Sequence, residues 1–303
     1  MSGAGAYPTS LRRRAEALAA PFPPLLAEAE HLAASLALGE HGRRRPGMGD
    51  EFWQYRTAEP GDPSRGIDWR RSARSDAHLF VRQKEWQAMQ SVLVWPDLSA
   101  AMRFSGDRAR PPKARVAAVL GLALASLLLR GGERVGLLGG AGGARAGRSQ
   151  LATMARQLGD RLARDADDPG LPDYGVPPPA HFPRGARAVF LSDFLGPVEP
   201  VEAALGRAAD RGVRGALVQI LDPVEESFPW AGRTLFESVG RSVRHETMEA
   251  GALRDAYRQR LAAREARLAA IARRTGWRFV RHHTDQPATA CLLWLHAFLS
   301  GGH

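Results

Sequence analysis

Hydrophobic positions change their period along the chain. Four consecutive large apolar residues, Val92-Leu93-Val94-Trp95, lead into Pro96-Asp97-Leu98-Ser99. A run apolar on both faces suits a central parallel strand covered by helices on each side. Short apolar runs at Arg134–Leu138, Ala188–Leu191, Ala216–Leu221 and Trp277–Val280 read as further strands. Between them, helices are predicted over Pro112–Leu129, Ser149–Arg164, Val201–Arg211, Ala250–Thr275 and Ala288–Ser300. In Ser149–Arg164, for example, Leu151, Met154, Leu158 and Leu162 fall on one face. Thr234–Val239 alternates like an edge strand. Strands alternating with helices predict an α/β fold over residues 91–303: three layers around a doubly wound, mostly parallel sheet.

Upstream the pattern weakens. Residues 1–46 read as a peripheral segment, with short helices over Leu11–Ala20 and Leu25–Leu38 separated by Pro21, Pro23 and Pro24. Residues 47–90 are dense in Arg, Asp, Trp and Gly and have no clean period, apart from a strand at Leu79-Phe80-Val81. Arg with Asp at that density predicts an ion-pair network holding a small irregular part against the sheet, with Trp69 buried and Asp62 and Asp68 pairing arginines.

Composition changes this picture little. At 303 residues, 44% hydrophobic and 24% charged, the chain is an ordinary globular protein. Its net charge of +10 raises nucleic acid as a partner. However, only Lys84 and Lys113 are lysines, acids interleave with the arginines, and no recognition or stacking motif accompanies them. The single cysteine, Cys291, rules out an intrachain disulfide and a cysteine-based zinc site. Met1–Arg14 lacks the apolar core of a secretory signal, and the longest apolar run, Val116–Leu129, is shorter than the roughly 20 residues a membrane span needs. A cytoplasmic protein without membrane attachment is expected.

Candidate chemistry gathers at strand ends, where ligands of open α/β sheets bind. Asp97, Ser99 and Asp193 would meet there, and their hard oxygens suit Mg²⁺. Gly142–Ser149 fits a phosphate-binding G-x-x-x-x-G-K-[ST] loop except that Arg148 replaces the lysine, and a glycine-rich hairpin is the preferred reading. His282 and His283 are adjacent on a strand and point to opposite faces, so they do not share a metal. Glu225-Glu226 is expected to face solvent on a loop rather than to form an acid/base pair.

Asp97-x-Ser99 after an apolar strand, with a second strand ending in Ser192-Asp193, resembles the von Willebrand factor A domain and its metal-ion-dependent adhesion site. Upstream, Gly49-Asp50-Glu51-Phe52, Arg56, Gly61-Asp62, Arg65, Ile67-Asp68-Trp69 and Ser72-Ala73-Arg74 resemble the signature of the bacterial domain-of-unknown-function family 58, which places such a segment before a von Willebrand A-like domain. The resemblance runs from about Gly47 to about Ser300. It implies a Rossmann-like fold and a non-catalytic adaptor working with a MoxR-type AAA+ ATPase. It also assigns Arg56, Gly61, Asp62, Arg65, Asp68, Trp69 and Arg74 structural or interaction roles. The metal ligands it implies are Asp97, Ser99 and Asp193. Two departures weaken the site: Ala101 replaces the third hydroxyl, and Pro96 precedes the aspartate. The second-loop threonine has no clear counterpart, Ser149 and Thr153 being the nearest candidates. The expectation is therefore a degenerate site, with Mg²⁺ as the cofactor if it is intact and none otherwise. The alternatives are a metal-dependent hydrolase of a phosphate substrate and a basic nucleic-acid-binding protein.

Overall fold

The computed structural model describes residues 23–39, 52–58, 67–74, 78–84, 90–140, 142–164, 168, 170–239 and 243–300. The chain divides into two compact units: residues 40–89, and residues 1–39 together with 90–303.

The larger unit is built on five parallel strands: β3 (Ser91–Pro96), β4 (Arg134–Leu137), β5 (Arg187–Ser192), β6 (Arg214–Leu221) and β9 (Arg278–His283). They lie in the order β4-β3-β5-β6-β9. The register pairs Val94 with Leu137 on one side and with Val189 on the other. Side chains alternate between the two faces, so each strand feeds two cores.

On one face Val92, Val94, Val189, Leu191, Val218 and Ile220 pack against α1 (Pro23–Gly39), α3 (Lys113–Arg130), α4 (Arg148–Leu162) and α8 (Ala288–Ser300). On the other, Leu93, Trp95, Phe190, Leu217 and Trp277 pack against α5 (Glu199–Ala209) and α7 (Arg254–Arg274). The result is the three-layer arrangement expected. Helix α3 is apolar almost all round because it lies between the sheet and other helices, and fourteen of its residues are buried. The chain leaves β3 for β4 on one side and reaches β5 on the other. That reversal puts the carboxyl ends of β3 and β5 side by side.

One correction concerns the N-terminal segment. Leu25–Leu38 was expected to be peripheral, but α1 buries Leu25, Ala29 and Ala33 in the core shared with α3. Leu26, Leu32 and Leu36 pack partly buried against the same core, so this helix belongs to the larger unit. The Leu11–Ala20 helix lies outside the described residues. So do Gly61, Asp62 and Arg65.

A short hairpin, β7 (Thr234–Glu237) with β8 (Arg244–Thr247), stands apart from the sheet, preceded by the short helix α6 (Pro223–Ser227). It replaces the edge strand predicted at Thr234–Val239. The glycine-rich loop returns to β4 through a Val135–Arg145 bridge, in the manner of a hairpin.

In the smaller unit, β1 (Phe52–Thr57) pairs antiparallel with β2 (Phe80–Lys84), and the single turn α2 (Trp69–Ser72) lies between them in sequence. Asp68 caps α2 by accepting from the Arg71 amide, and the Ser72 hydroxyl bridges the Asp68 carbonyl and the Phe80 amide. Trp69, expected to be buried, is 59% exposed, and Ser72 is the buried residue of α2. Arg74 is exposed, and Arg56 lies on β1.

His282 on β9 is buried and lines a small cavity together with Val116 and Val119. Burial, reinforced by neighbouring His283, pulls its imidazole down from 6.5 to about 4. Between those values the unfolded chain binds a proton that the folded chain refuses. Stability is therefore complete above about pH 6.5 and falls as pH drops toward about 4, by roughly 2–3 kcal/mol from this residue. His282→Leu is expected to flatten that part of the stability–pH curve in urea unfolding; an unchanged slope would show that another group carries it.

Candidate functional site

The carboxyl ends of β3 and β5 bring together the three residues singled out in the sequence. Asp97, Ser99 and Asp193 are all buried, at 2%, 3% and 2% exposure. Asp97 directly follows β3, and its amide donates to the Leu191 carbonyl of β5 (2.8 Å). Its Oδ1 accepts from the Ser99 amide (2.9 Å) and its Oδ2 from the Ser192 hydroxyl (2.7 Å). The backbone of Gly175 lies directly on this carboxylate: a Cβ added there would stand 2.1–2.2 Å from its atoms. Only a glycine allows the proline-rich loop to close so tightly. The same loop accepts the Ala100 and Ala101 amides at the Pro172 and Asp173 carbonyls. Burial, and then the nearby charge of Asp193, raise the Asp97 carboxyl above the usual range, against the opposing hydrogen bonds from Ser192 and Ser99.

Asp193 meets a partner that the strand pattern does not predict. Lys113, the first residue of α3, is 1% exposed. Its ammonium donates to Asp193 Oδ2 (2.8 Å) and to Glu225 Oε1 (2.6 Å). Burial alone would lower the lysine, but the Asp193 and Glu225 carboxylates outweigh it and hold the ammonium charged. The Leu195 amide donates to Asp193 Oδ1 (3.0 Å), and buried Gln219 donates to the Asp193 carbonyl (3.0 Å).

Glu225 belongs to α6, which begins with a capping box. The Asp222 carboxylate accepts from the Val224 amide, and Glu225 Oε2 accepts from the Asp222 amide (2.8 Å). Glu225 was expected to face solvent on a loop; the box turns it inward onto Lys113. Glu226 stays outward, paired with Arg281. Asp222, with no exposed surface, also accepts from the Gly106 amide, Arg110 and the Thr284 hydroxyl. One polar network thus joins β3, β5, α3, α6 and the residue after β9.

Two residues bordering this network have left-handed backbone, Phe194 (φ 51°) and Phe228 (φ 45°). Bulky residues there cost about 1–3 kcal/mol each and persist only where the surroundings over-determine them. Here α7 supplies the restraint: Arg264 donates to the Phe194 carbonyl (3.2 Å) and Arg254 to the Phe228 carbonyl (3.0 Å).

The residues present do not fit a divalent ion as they are arranged. Both Asp97 oxygens are engaged and roofed by Gly175, and Asp193 is shared between Lys113 and the Leu195 amide. Ala101 offers no oxygen donor from its side chain. Ser99 Oγ is buried without a hydrogen-bond partner, which leaves one free ligand atom. Among the described residues, no three His, Cys, Asp or Glu side chains converge on a metal-sized site. Thr153 spends its hydroxyl on the Ser149 carbonyl within α4, outside this network. In the glycine-rich loop, Arg145 donates to the Gly142 carbonyl and Gln150 donates to the Val135 carbonyl of β4, contacts that tie the loop to itself and to its strand.

Comparisons with known proteins agree with the N-terminal signature. A family described as "Protein of unknown function DUF58" matches residues 54–267. An uncharacterized protein of Mycobacterium tuberculosis strain H37Rv and one of Mycobacterium bovis are each 30% identical over 257 residues. Each alignment covers 82% of this chain and 79% of the relative. No solved structure matches the chain.

Removing the lysine would leave two buried carboxylates without a counter-charge, which costs about 3–5 kcal/mol. Lys113→Met is expected to lose about that much stability in urea unfolding. Neutralising the two acids as well, in a Lys113→Met/Asp193→Asn/Glu225→Gln variant, is expected to recover most of it. A single Lys113→Met variant within about 1 kcal/mol of the parent would show that the ammonium is not what holds these elements.

Proposed function

The chain belongs to the DUF58 family of unknown function, and from that premise we propose that it is a non-catalytic protein–protein interaction module. The observation that carries this reading is the closed state of the switch-point crevice. The position where an α/β enzyme would present its reacting groups is filled by Lys113 between Asp193 and Glu225, and the Gly175 loop covers Asp97. Carboxylates held this way brace a surface; they do not reach a substrate.

In this reading the larger unit is a von Willebrand A-like domain. The parallel strand order, the Asp97-x-Ser99 turn after β3 and Asp193 after β5 support it. Its metal-ion-dependent adhesion site is degenerate, and the lysine ammonium takes over the role of the cation. The partner class is a MoxR-type AAA+ ATPase, as the family resemblance implies, and the setting is cytoplasmic. Among the described residues no helix is long and apolar enough to cross a membrane.

A tagged full-length protein is expected to co-purify with a MoxR-type ATPase from its native cell, with or without added nucleotide; recovery of no such ATPase under either condition would remove the adaptor reading. A ligand bound only by the folded state raises its melting temperature, so Mg²⁺ or Mn²⁺ at about 10 mM, and EDTA, are each expected to leave the melting temperature unchanged. Hydrolysis of p-nitrophenyl phosphate that depends on either ion and is abolished by Asp97→Ala would instead establish the hydrolase alternative.

A further inference from the structure

Beside the polar network lies an aromatic cleft of about 670 Å³. Phe104, Phe228, Trp230, Phe236, Tyr257 and Leu253 form its walls. The rings hold one another: Phe228 sits 5.1 Å from Trp230, 5.0 Å from Tyr257 and 5.7 Å from Phe236, centroid to centroid. The hairpin supplies one side. Phe236 and His245 are cross-strand partners on β7 and β8, and both line the cleft.

The cleft opens to solvent, since Leu253, Ala256, Arg260 and His245 are exposed. Apolar surface continues past its rim. Val243, two residues before His245 and so on the same hairpin face, is 57% exposed. An exposed apolar side chain beside an open aromatic cleft suits a macromolecule better than a small ligand.

Charge and hydrogen-bonding capacity define the occupant further. The acid in the lining, Glu225, is paired with Lys113, whose ammonium it shares with Asp193. Arg260 lines the cleft and has no ion pair or hydrogen bond among the described residues. Trp230 Nε1 and the Tyr257 hydroxyl likewise have no hydrogen-bond partner among them. Burial, and then the Glu225 charge, push the Tyr257 phenol up to about 12, so it remains a donor. The cleft therefore offers aromatic walls, unspent donors and a guanidinium, Arg260, with no ion pair among the described residues. Trp, Tyr and Arg are also the residue types most enriched at interface hot spots.

We infer that this cleft is the docking site for a partner-protein segment that places a large apolar side chain between the rings and an adjacent Asp or Glu on Arg260. The inference rests on the interaction-module reading and names the partner chemistry of that module. It also gives the buried network a purpose: Lys113 fixes Glu225, and with it the floor from which Phe228 and Trp230 rise.

The test is selection of a displayed random dodecapeptide library on the full-length protein, with Arg260→Glu and Leu253→Asp variants as controls. Both substitutions fall at exposed positions, and circular-dichroism melting would verify that both variants fold. Enriched peptides are expected to carry Asp or Glu within about two residues of Phe, Trp, Leu or Ile, and to bind either variant at least tenfold more weakly. Enrichment of basic or purely apolar peptides, no enrichment above the variants, or equal affinity for the variants would overturn the proposal. An Arg260→Glu protein that still co-purifies with the ATPase at parental yield would discard the cleft while leaving the adaptor reading intact. Selected acidic–apolar peptides without any recovered ATPase would discard the ATPase and keep the cleft.

Discussion

A lysine ammonium with almost no exposed surface, held between Asp193 and Glu225, is the contact on which the rest of this sheet edge depends. Removing a charge from water costs several kcal/mol, and only close opposite charges with good hydrogen bonds offset it. The position makes the requirement stricter. Lys113 opens α3, and the positive end of a helix dipole disfavours a cation and favours anions. Two carboxylates beside that end satisfy both the lysine and the helix. The strand after which Asp193 falls, the helix that Lys113 begins and the turn that carries Glu225 must therefore keep one mutual geometry.

The strained residues follow from the same requirement. Phe194 comes one residue after Asp193, and Phe228 closes the short helix that carries Glu225. Turning the chain sharply after each carboxylate aims the acid inward and forces the next bulky residue into left-handed backbone. Arginines of α7 then take up both carbonyls. Polar satisfaction on one side of the turn and backbone strain on the other are two views of one arrangement.

Most of the fold was legible in the sequence because β3, β5 and β6 are covered on both faces, which produces uninterrupted apolar runs. Asp97, Ser99 and Asp193 were legible for the same reason, as polar residues within a few positions of the end of such runs. The missed elements lack that contrast. β8 reads Arg-His-Glu-Thr, and only its pairing with β7 makes it a strand. The helix at Leu25–Leu38 was legible, but its burial against the core of the larger unit was not. Lys113 and Glu225 are 112 positions apart, so their contact has no local trace. One indirect clue existed: in a chain whose basic residues are otherwise arginines, the only lysine beside Lys84 falls at the start of the most buried helix. Arg at that point would bring a wide planar fork where a compact point charge fits between two acids.

Gly175 bears on how such a surface could be controlled. A metal-centred adhesion site has an occupancy: its cation can leave, be exchanged or be withheld, and the surface responds to ionic conditions. Here the cation is a side-chain ammonium, covalently tethered at Lys113, and the neighbouring carboxylate of Asp97 lies under the Gly175 backbone, which admits no side chain. Its local concentration is fixed and its dissociation rate is zero. On the proposed reading, such a surface would not answer to chelation or to the supply of divalent ions, and its use would be metered by how much protein is present and by whatever competes for its exposed face.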